Sequence, residues 1–458
     1  MSESLNILIR GPLWTGWTSG YCAFTRDIFG LFNAITPNVR YQFHRRDDII
    51  VGNLKNYFLK HGNLQDKYYD SDDISHFDIV INIGTPAEVE LIPHLKNVLY
   101  TFWETDLINT YDLGRGQSWT DLMNKYNEVW SSSNFALEVY KKSGVTSNLR
   151  VIRWPMTFDD NERSQLSDES SSERIFNPKE HLLLRLAFEA CKKWGIASKI
   201  RGAKWPIAFG KKSVAKSIDG FNFNRLFSSK KYSLNEIIEQ HKCVYFSCGE
   251  FQPRKNFEQM IHSFLLALGK ESKVCLILKV SLGSVSKFKD SKDLIKYIES
   301  KFASYSGTLS NIYIICSHIP KAALMSIHCK ASFYVTTSKG EGLGGPIIDA
   351  MKEKTPIIAH TFSSFKDFLS QDNAILFDYH LENVIGMPFP AYSALQKWAA
   401  FKTKDIVSAF SESYEIYGTE KYTELSESAK SKAFELFEFN NVKKGVTQIL
   451  GSNNEIIN

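Results

Sequence analysis
Seven cysteines in 458 residues, Cys22, Cys191, Cys243, Cys248, Cys275, Cys316 and Cys329, are scattered, odd in number and without a C-x-x-C pair. That argues against a disulfide framework and a zinc site, and points to a reducing compartment. No apolar run approaches the ~18 residues of a membrane-spanning helix, and no charged segment followed by a long apolar one opens the chain. The expected location is the cytoplasm, with docking on the cytosolic membrane face left open. The glycine-bearing loop after the first apolar run lacks a G-x-G-x-x-G dinucleotide fingerprint, and nothing repeats beyond two similar α/β halves. What is there is an ordinary globular composition, 43% apolar and 23% charged, in a chain longer than one hydrophobic core usually holds. Two α/β domains are expected.

The stretch 332–359 organises the rest. Residues 332–337 predict a buried strand that empties into a loop carrying Gly340, Gly342, Gly344 and Gly345, where a backbone without side chains can lie close to a ligand. Pro346 suits the first helical position, and Ile347, Ile348 and Met351 give the following helix a buried face. A helix start offers unpaired N–H groups and partial positive charge to a phosphate, while Glu341 and Asp349 offer acceptors for sugar hydroxyls. A nucleotide-sugar fits both features. The same glycines would also serve a plain strand-to-helix turn with two solvated carboxylates.

In the first half, apolar runs at 5–9, 77–84, 98–106 and 128–134 predict strands, and Phe24, Ile28, Leu31 and Phe32 predict a helix over about 21–34. Between the first strand and that helix, Gly16 and Gly20 lie in a loop that reads equally as a phosphate cradle or as a turn. The alternation predicts parallel, doubly wound sheets with ligands at the carboxyl ends of the strands. Trp103-Glu104-Thr105-Asp106 falls at such an end, so Glu104 reads either as a substrate contact or as a helix cap or surface ion pair.

Glu341, seven intervening residues and Asp349, followed by Ala350-Met351 and Pro356 to Ala359, resemble the signature of retaining glycosyltransferases of family four, E-G-F-G-x-P-x-x-E-A-M-A-x-G-x-P-V-V-A. The second acid departs from it, being one methylene shorter. A further strand, 243–248, leads to Gly249-Glu250 and on to Arg254-Lys255-Asn256, which resembles the family phrase G-R-x-x-x-x-K-N. Lys255 aligns; the family's arginine is Glu250 here, and Arg254 is the substitute cation.

The resemblance implies the GT-B fold, two facing Rossmann-like domains with parallel sheets and a cleft between them. It implies an N-terminal acceptor-side domain at 1–158, a nucleotide-sugar domain at 243–435 and a C-terminal helix at 436–458 that crosses back to the first domain; the basic aromatic insert or linker at 159–242 lies outside the resemblance, family linkers being short. The implied reaction moves a hexose from a nucleotide-sugar to an acceptor hydroxyl with retention and without a metal or cofactor, the donor, a UDP- or GDP-hexose, being a substrate. Arg254 and Lys255 would then stabilise the leaving diphosphate, where fixed positive charge matters most. Gly342, Leu343, Gly344 and Gly345 would hold the donor, Glu341 its sugar hydroxyls and Asp349 its ribose. Glu104 would stand at the transferred sugar, and Gly16 or Gly20 would close the site. Glu250 and Asp349, in place of family residues, keep open a catalytically silent binding module.

The insert has a character of its own. Between 192 and 231 eleven Lys or Arg face the single acid Asp219, a local excess of +10 in a chain whose net charge is +5, which leaves −5 for the rest. Trp194, Trp205, Phe209, Phe221, Phe223 and Phe227 interleave with these charges. Such a stretch suits a polyanionic acceptor, an anionic membrane surface or, as the least favoured partner, single-stranded nucleic acid, and equally a solvated helical face over a small satellite core. The acceptor expected is a glycan, a lipid-linked molecule or a protein.

Overall fold
The computed structural model describes residues 5–12, 20–42, 67–69, 71, 73–87, 91–108, 117–156, 223–226, 231–282, 287–305, 311–317, 319, 321–387, 389 and 391–453. By proximity they form two compact units, one within 1–84 and 88–97, the other within 85–87, 98–158 and 218–458.

The first unit holds β1 (Ile7–Arg10), α1 (Gly20–Ile35), β2 (Val39–Gln42) and β3 (Ile79–Ile83), with β1 paired in parallel to β2 on one side and β3 on the other. β1 and β3 are buried at every residue, the pattern required of parallel strands covered on both faces. In α1 the predicted stripe of Phe24, Ile28, Leu31 and Phe32 is fully buried.

The second unit begins at the end of β4 (Lys96–Tyr100) and continues through α2 (Trp119–Met123), β5 (Glu128–Ser131), α3 (Asn134–Lys142) and β6 (Asn148–Val151). β5 pairs in parallel with β4 and β6. The apolar run 98–106 predicts a longer strand than forms. The strand stops at Tyr100, and the Trp103 indole donates to Thr105 Oγ1 (2.7 Å) and the Leu107 carbonyl (2.6 Å), which turns the chain at the strand's carboxyl end.

After β7 (Phe223–Arg225), β8 (Lys231–Tyr232) and α4 (Leu234–Gln240), the unit alternates strand and helix: β9 (Cys243–Glu250), α5 (Phe257–Leu268), β10 (Val274–Ser281), α6 (Ser291–Lys301), β11 (Ile312–Ile315), α7 (Lys321–Lys330), β12 (Phe333–Val335), α8 (Gly345–Lys352), β13 (Ile357–Ala359) and β14 (Ala374–Leu376). A hairpin, β15 (His380–Asn383) and β16 (Lys397–Ala400), and three helices, α9 (Thr403–Ile416), α10 (Glu420–Phe437) and α11 (Phe439–Asn453), complete it. The larger sheet has the order β14-β13-β12-β9-β10-β11-β7-β8. β9 to β14 are parallel, and β7 and β8 add an antiparallel edge.

That order positions the site. From β9 the chain runs outward through β10 and β11, then returns to the other side of β9 as β12. The order reverses between β9 and β12, which makes this the topological switch point of the sheet. Between the sheet and its helices, Tyr245 of β9 stacks on Phe333 (centroids 5.3 Å apart, rings 15° from parallel) and meets Phe264 of α5 and Phe410 of α9 edge-on. Beyond β6, the Met156 amide donates to the Phe437 carbonyl (2.7 Å) and its carbonyl accepts from Phe439 (2.9 Å), which ties this segment to the α10–α11 junction.

Of the basic stretch 192–231, only 223–226 and 231 are described, so the acceptor and membrane expectations attached to it fall outside the described residues. Among the described residues no helix is long and apolar enough to cross a membrane. Truncating Phe264, which is fully buried, to alanine should cost about 3–5 kcal/mol in urea unfolding, whereas a loss below about 1 kcal/mol would contradict this packing.

Candidate functional site
The loop after β9 contains a short 3-10 turn, Pro253–Lys255, and Asn256 follows at φ 53° in the left-handed region. This turn delivers two adjacent cations to the switch point. The loop after β12 brings Glu341 to meet them: Arg254 Nη1 lies 3.1 Å from Glu341 Oε2, and the Lys255 ammonium pairs with Glu341 Oε1. From the end of β4, Glu104 approaches the same guanidinium, with Oε1 3.6 Å from Arg254 Nη2. The predicted catalytic residues Arg254, Lys255, Glu341 and Glu104 thus form one cluster of two cations and two anions, assembled from three strand ends within one unit.

Burial makes this cluster electrostatically stiff. Arg254 and Glu341 are each 9% exposed. Burial alone would raise the Glu341 carboxyl, but the charges of Lys255 and Arg254 outweigh it and hold the group at about 2. The Arg254 guanidinium is penalised by burial and held charged by Glu341 and Glu104, its value raised above the ordinary one. Arg254 Nη1 also donates to the Gly340 carbonyl (2.5 Å), and the Arg254 carbonyl accepts from the Lys339 amide (2.7 Å), so side chain and main chain both grip the glycine loop. Arg254 Nε and Gln252 Oε1, in the same loop, are buried without a hydrogen-bond partner among the described residues.

His360, after β13, supports the loop from behind. Its Nδ1 accepts from the Phe362 amide (3.0 Å), which leaves Nε2–H to donate to the Ser338 carbonyl (2.7 Å), a neutral tautomer consistent with burial pushing the ring down to about 4. Ser363 Oγ accepts from the Glu341 amide (2.9 Å), and Ser364 Oγ donates to the Leu343 carbonyl (2.9 Å).

The glycines are steric necessities. A Cβ on Gly340 would lie 2.1 Å from the Glu104 carbonyl oxygen, and one on Gly342 would lie 2.7 Å from Phe102 Cβ. Gly344 has φ 86°, and a Cβ there would lie 2.5 Å from the Phe365 ring. Gly344 is the N-cap of α8, no side chain caps that end, and Gly345 and Pro346 form its first turn. Asp349 lies half-buried within α8, where its charge raises the thiol of Cys248 on β9 further above what burial already imposes. Gly20 opens α1 in the other unit, and Gly16 lies outside the described residues. Glu250, at the place of the family's arginine, is half-buried at the end of β9.

One residue at the cluster carries no signal in the sequence: Tyr392, between β15 and β16, whose hydroxyl donates to Glu104 Oε2 at 3.0 Å. His360, Ser363 and Ser364 likewise belong to no recognisable motif.

No protein-family model matches the sequence, and no curated protein matches it. Solved structures do. Anabaena HepE in complex with UDP and glucose aligns over 98% of this chain and 100% of its own, with a TM-score of 0.59 and 12% identity. Sucrose-phosphate synthase from Thermosynechococcus elongatus aligns over 99% and 100%, with a TM-score of 0.55 and 9% identity. A trehalose-6-phosphate protein from E. coli bound with UDP-2-fluoro glucose aligns over 97% and 98%, with a TM-score of 0.56 and 8% identity. These likenesses establish the fold, which is GT-B.

Two stability predictions follow from the cluster. Gly340→Ala should destabilise the protein by about 1–3 kcal/mol through overpacking, while Gly345→Ala, whose nearest neighbour is Trp154 at 3.6 Å, should stay within about 0.5 kcal/mol; equal effects in urea unfolding would refute the close approach. Because the folded-state value of Glu341 is depressed from an ordinary 4.5 to about 2, its contribution is complete above about pH 4.5 and lost as pH falls toward 2. Glu341→Gln should therefore flatten the loss of stability across that window relative to wild type, and an unchanged slope would speak against the ion pairs.

Proposed function
We propose that the protein is a glycosyltransferase that moves a hexose from a nucleoside diphosphate sugar to an acceptor hydroxyl with retention of configuration. The observation that carries this is the buried Arg254–Lys255–Glu341 cluster at the topological switch point, with the Arg254 Nε–H group unsatisfied. Fixed cations in a desolvated site suit a leaving diphosphate, and a diphosphate oxygen would satisfy that N–H group. The fold likeness to GT-B glycosyltransferases supports the reading, as do the two neighbours that hold UDP together with glucose or UDP-2-fluoro glucose.

In this mechanism Arg254 and Lys255 bind the diphosphate, with the amides around Gly344 and Gly345 at the start of α8 completing the anion site. Glu341 accepts hydrogen bonds from the sugar hydroxyls, Asp349 faces the ribose, and Glu104 contacts the transferred sugar or the acceptor. The bond from the anomeric carbon to the diphosphate breaks, with its electron pair going to the phosphate oxygen. The acceptor oxygen attacks from the same face, and its proton passes to that phosphate oxygen. No metal or cofactor is needed, because protein cations offset the developing charge. The donor is a UDP- or GDP-hexose, and the acceptor is a glycan, lipid-linked molecule or protein. The domain roles follow the family pattern, with an acceptor-side domain first and the donor domain after it.

Thermal shift against UDP-, GDP- and ADP-sugars identifies the donor base, and initial rates with the stabilising donors test the chemistry. Lys255→Ala and Glu341→Ala should each lower turnover by at least about 100-fold. Near-wild-type turnover in both removes the assignment; a shift with nucleotide but no turnover in wild type identifies a silent binding module.

A further inference from the structure
We propose that Tyr392 is a positioning residue that holds Glu104 in its working orientation, which makes the β15–β16 hairpin part of the site; this rests on the glycosyltransferase reading above. Tyr392 donates its hydroxyl to Glu104 Oε2 (3.0 Å), while Glu104 Oε1 faces Arg254 Nη2 at 3.6 Å. Each carboxylate oxygen therefore has its own partner, and the plane of the group is fixed. The Tyr392 ring stacks on Trp103, with centroids 5.4 Å apart and planes 22° from parallel, and Trp103 is itself locked by its two indole hydrogen bonds. Burial and then the Glu104 charge push the Tyr392 hydroxyl well above its ordinary value, so it remains a proton donor wherever the enzyme works.

The hairpin is tied to the segments that carry the site. On one side, the Asp106 amide donates to the Lys397 carbonyl (3.0 Å) and the Lys397 amide donates to Asp106 Oδ1 (2.6 Å). On the other, the Ala399 amide donates to the carbonyl of Lys339, in the glycine loop (2.8 Å). The Lys339 ammonium pairs with Glu382 and lies 4.9 Å over the Trp398 ring, whose indole also donates to Glu382 (3.2 Å). Within the turn, Gln396 is buried and its amide bonds back to Ser393 and Ala391, which sets the path of the chain around Tyr392. Packing alone asks only for an aromatic ring at this place. The hydroxyl serves the carboxylate.

The test is a double-mutant cycle on turnover with the best donor from the panel, using Tyr392→Phe, Glu104→Gln and the pair, with unfolding temperatures measured for all. Tyr392→Phe keeps the stack and removes only the hydrogen bond. It should lower kcat about 10-fold, leave the donor KM within about 2-fold and keep the unfolding temperature within about 2 °C, while in the Glu104→Gln background it should change kcat by less than about 2-fold. Losses that multiply independently in the two backgrounds, a wild-type rate for Tyr392→Phe, or a larger drop in unfolding temperature each overturn the positioning role and leave the glycosyltransferase reading standing. A wild-type protein inactive with every donor removes that reading, and this inference with it.

Discussion
A guanidinium buried as deeply as that of Arg254 costs several kcal/mol unless opposite charge and acceptors surround it. Here two carboxylates and a carbonyl do so, and they come from two strand ends other than its own. Glu104 follows β4, Arg254 and Lys255 follow β9, and Gly340 and Glu341 follow β12. Parallel strands put all their carboxyl ends on one edge, and the order reverses beside β9, where the loops of β9 and β12 meet. Topology brings the charges together, and charge balance fixes how they meet. Within the cluster the formal charges cancel, as a desolvated site requires.

The glycine loop follows from this constraint. For Glu341 to reach two cations that stand at the end of β9, the loop must lie against residues 102–104, with the Gly340 and Gly342 backbone where side chains would collide. A chain pressed between two segments needs its own carbonyls satisfied, and Arg254, His360 and Ser364 supply the donors. The charged groups are thereby held in place before any ligand arrives, which is what makes fixed charge effective in catalysis.

Lys255 and Glu341, which meet in the cluster, stand out in the sequence because each lies in a short loop of characteristic spacing. The parallel sheet was legible as well, since strands such as β9 and β10 are apolar almost throughout. Glu104 is readable as an acid at a strand end and Arg254 as a substitute cation, but their pairing is not, because contact between distant loops leaves no local pattern. Tyr392 was invisible for the same reason, lying in a polar turn of a hairpin that no periodicity announces. The end of β4 was misjudged because Trp103 looks like strand continuation until its indole is seen to bond within its own turn. Both glycine-loop roles considered for 340–345 remain compatible: the steric need is visible in the contacts, and the ligand contact belongs to the proposed chemistry.

The state of Glu341 bears on where a proton can go. A carboxyl held at about 2 by two cations is ionised at neutral pH and a weak base, suited to accepting hydrogen bonds but poorly matched to taking a proton from an acceptor hydroxyl. A group with the reverse property is needed for that step. The oxygen of a departing diphosphate gains charge as the sugar bond breaks, and so becomes basic at the moment the acceptor must be deprotonated. In the proposed reaction Arg254 and Lys255 stabilise that same oxygen, and Glu341 and Glu104 hold the Arg254 guanidinium charged. Within the proposed reaction, the low value at Glu341 therefore fits proton transfer to the leaving group better than a carboxylate base, with Glu341 holding the two cations in place.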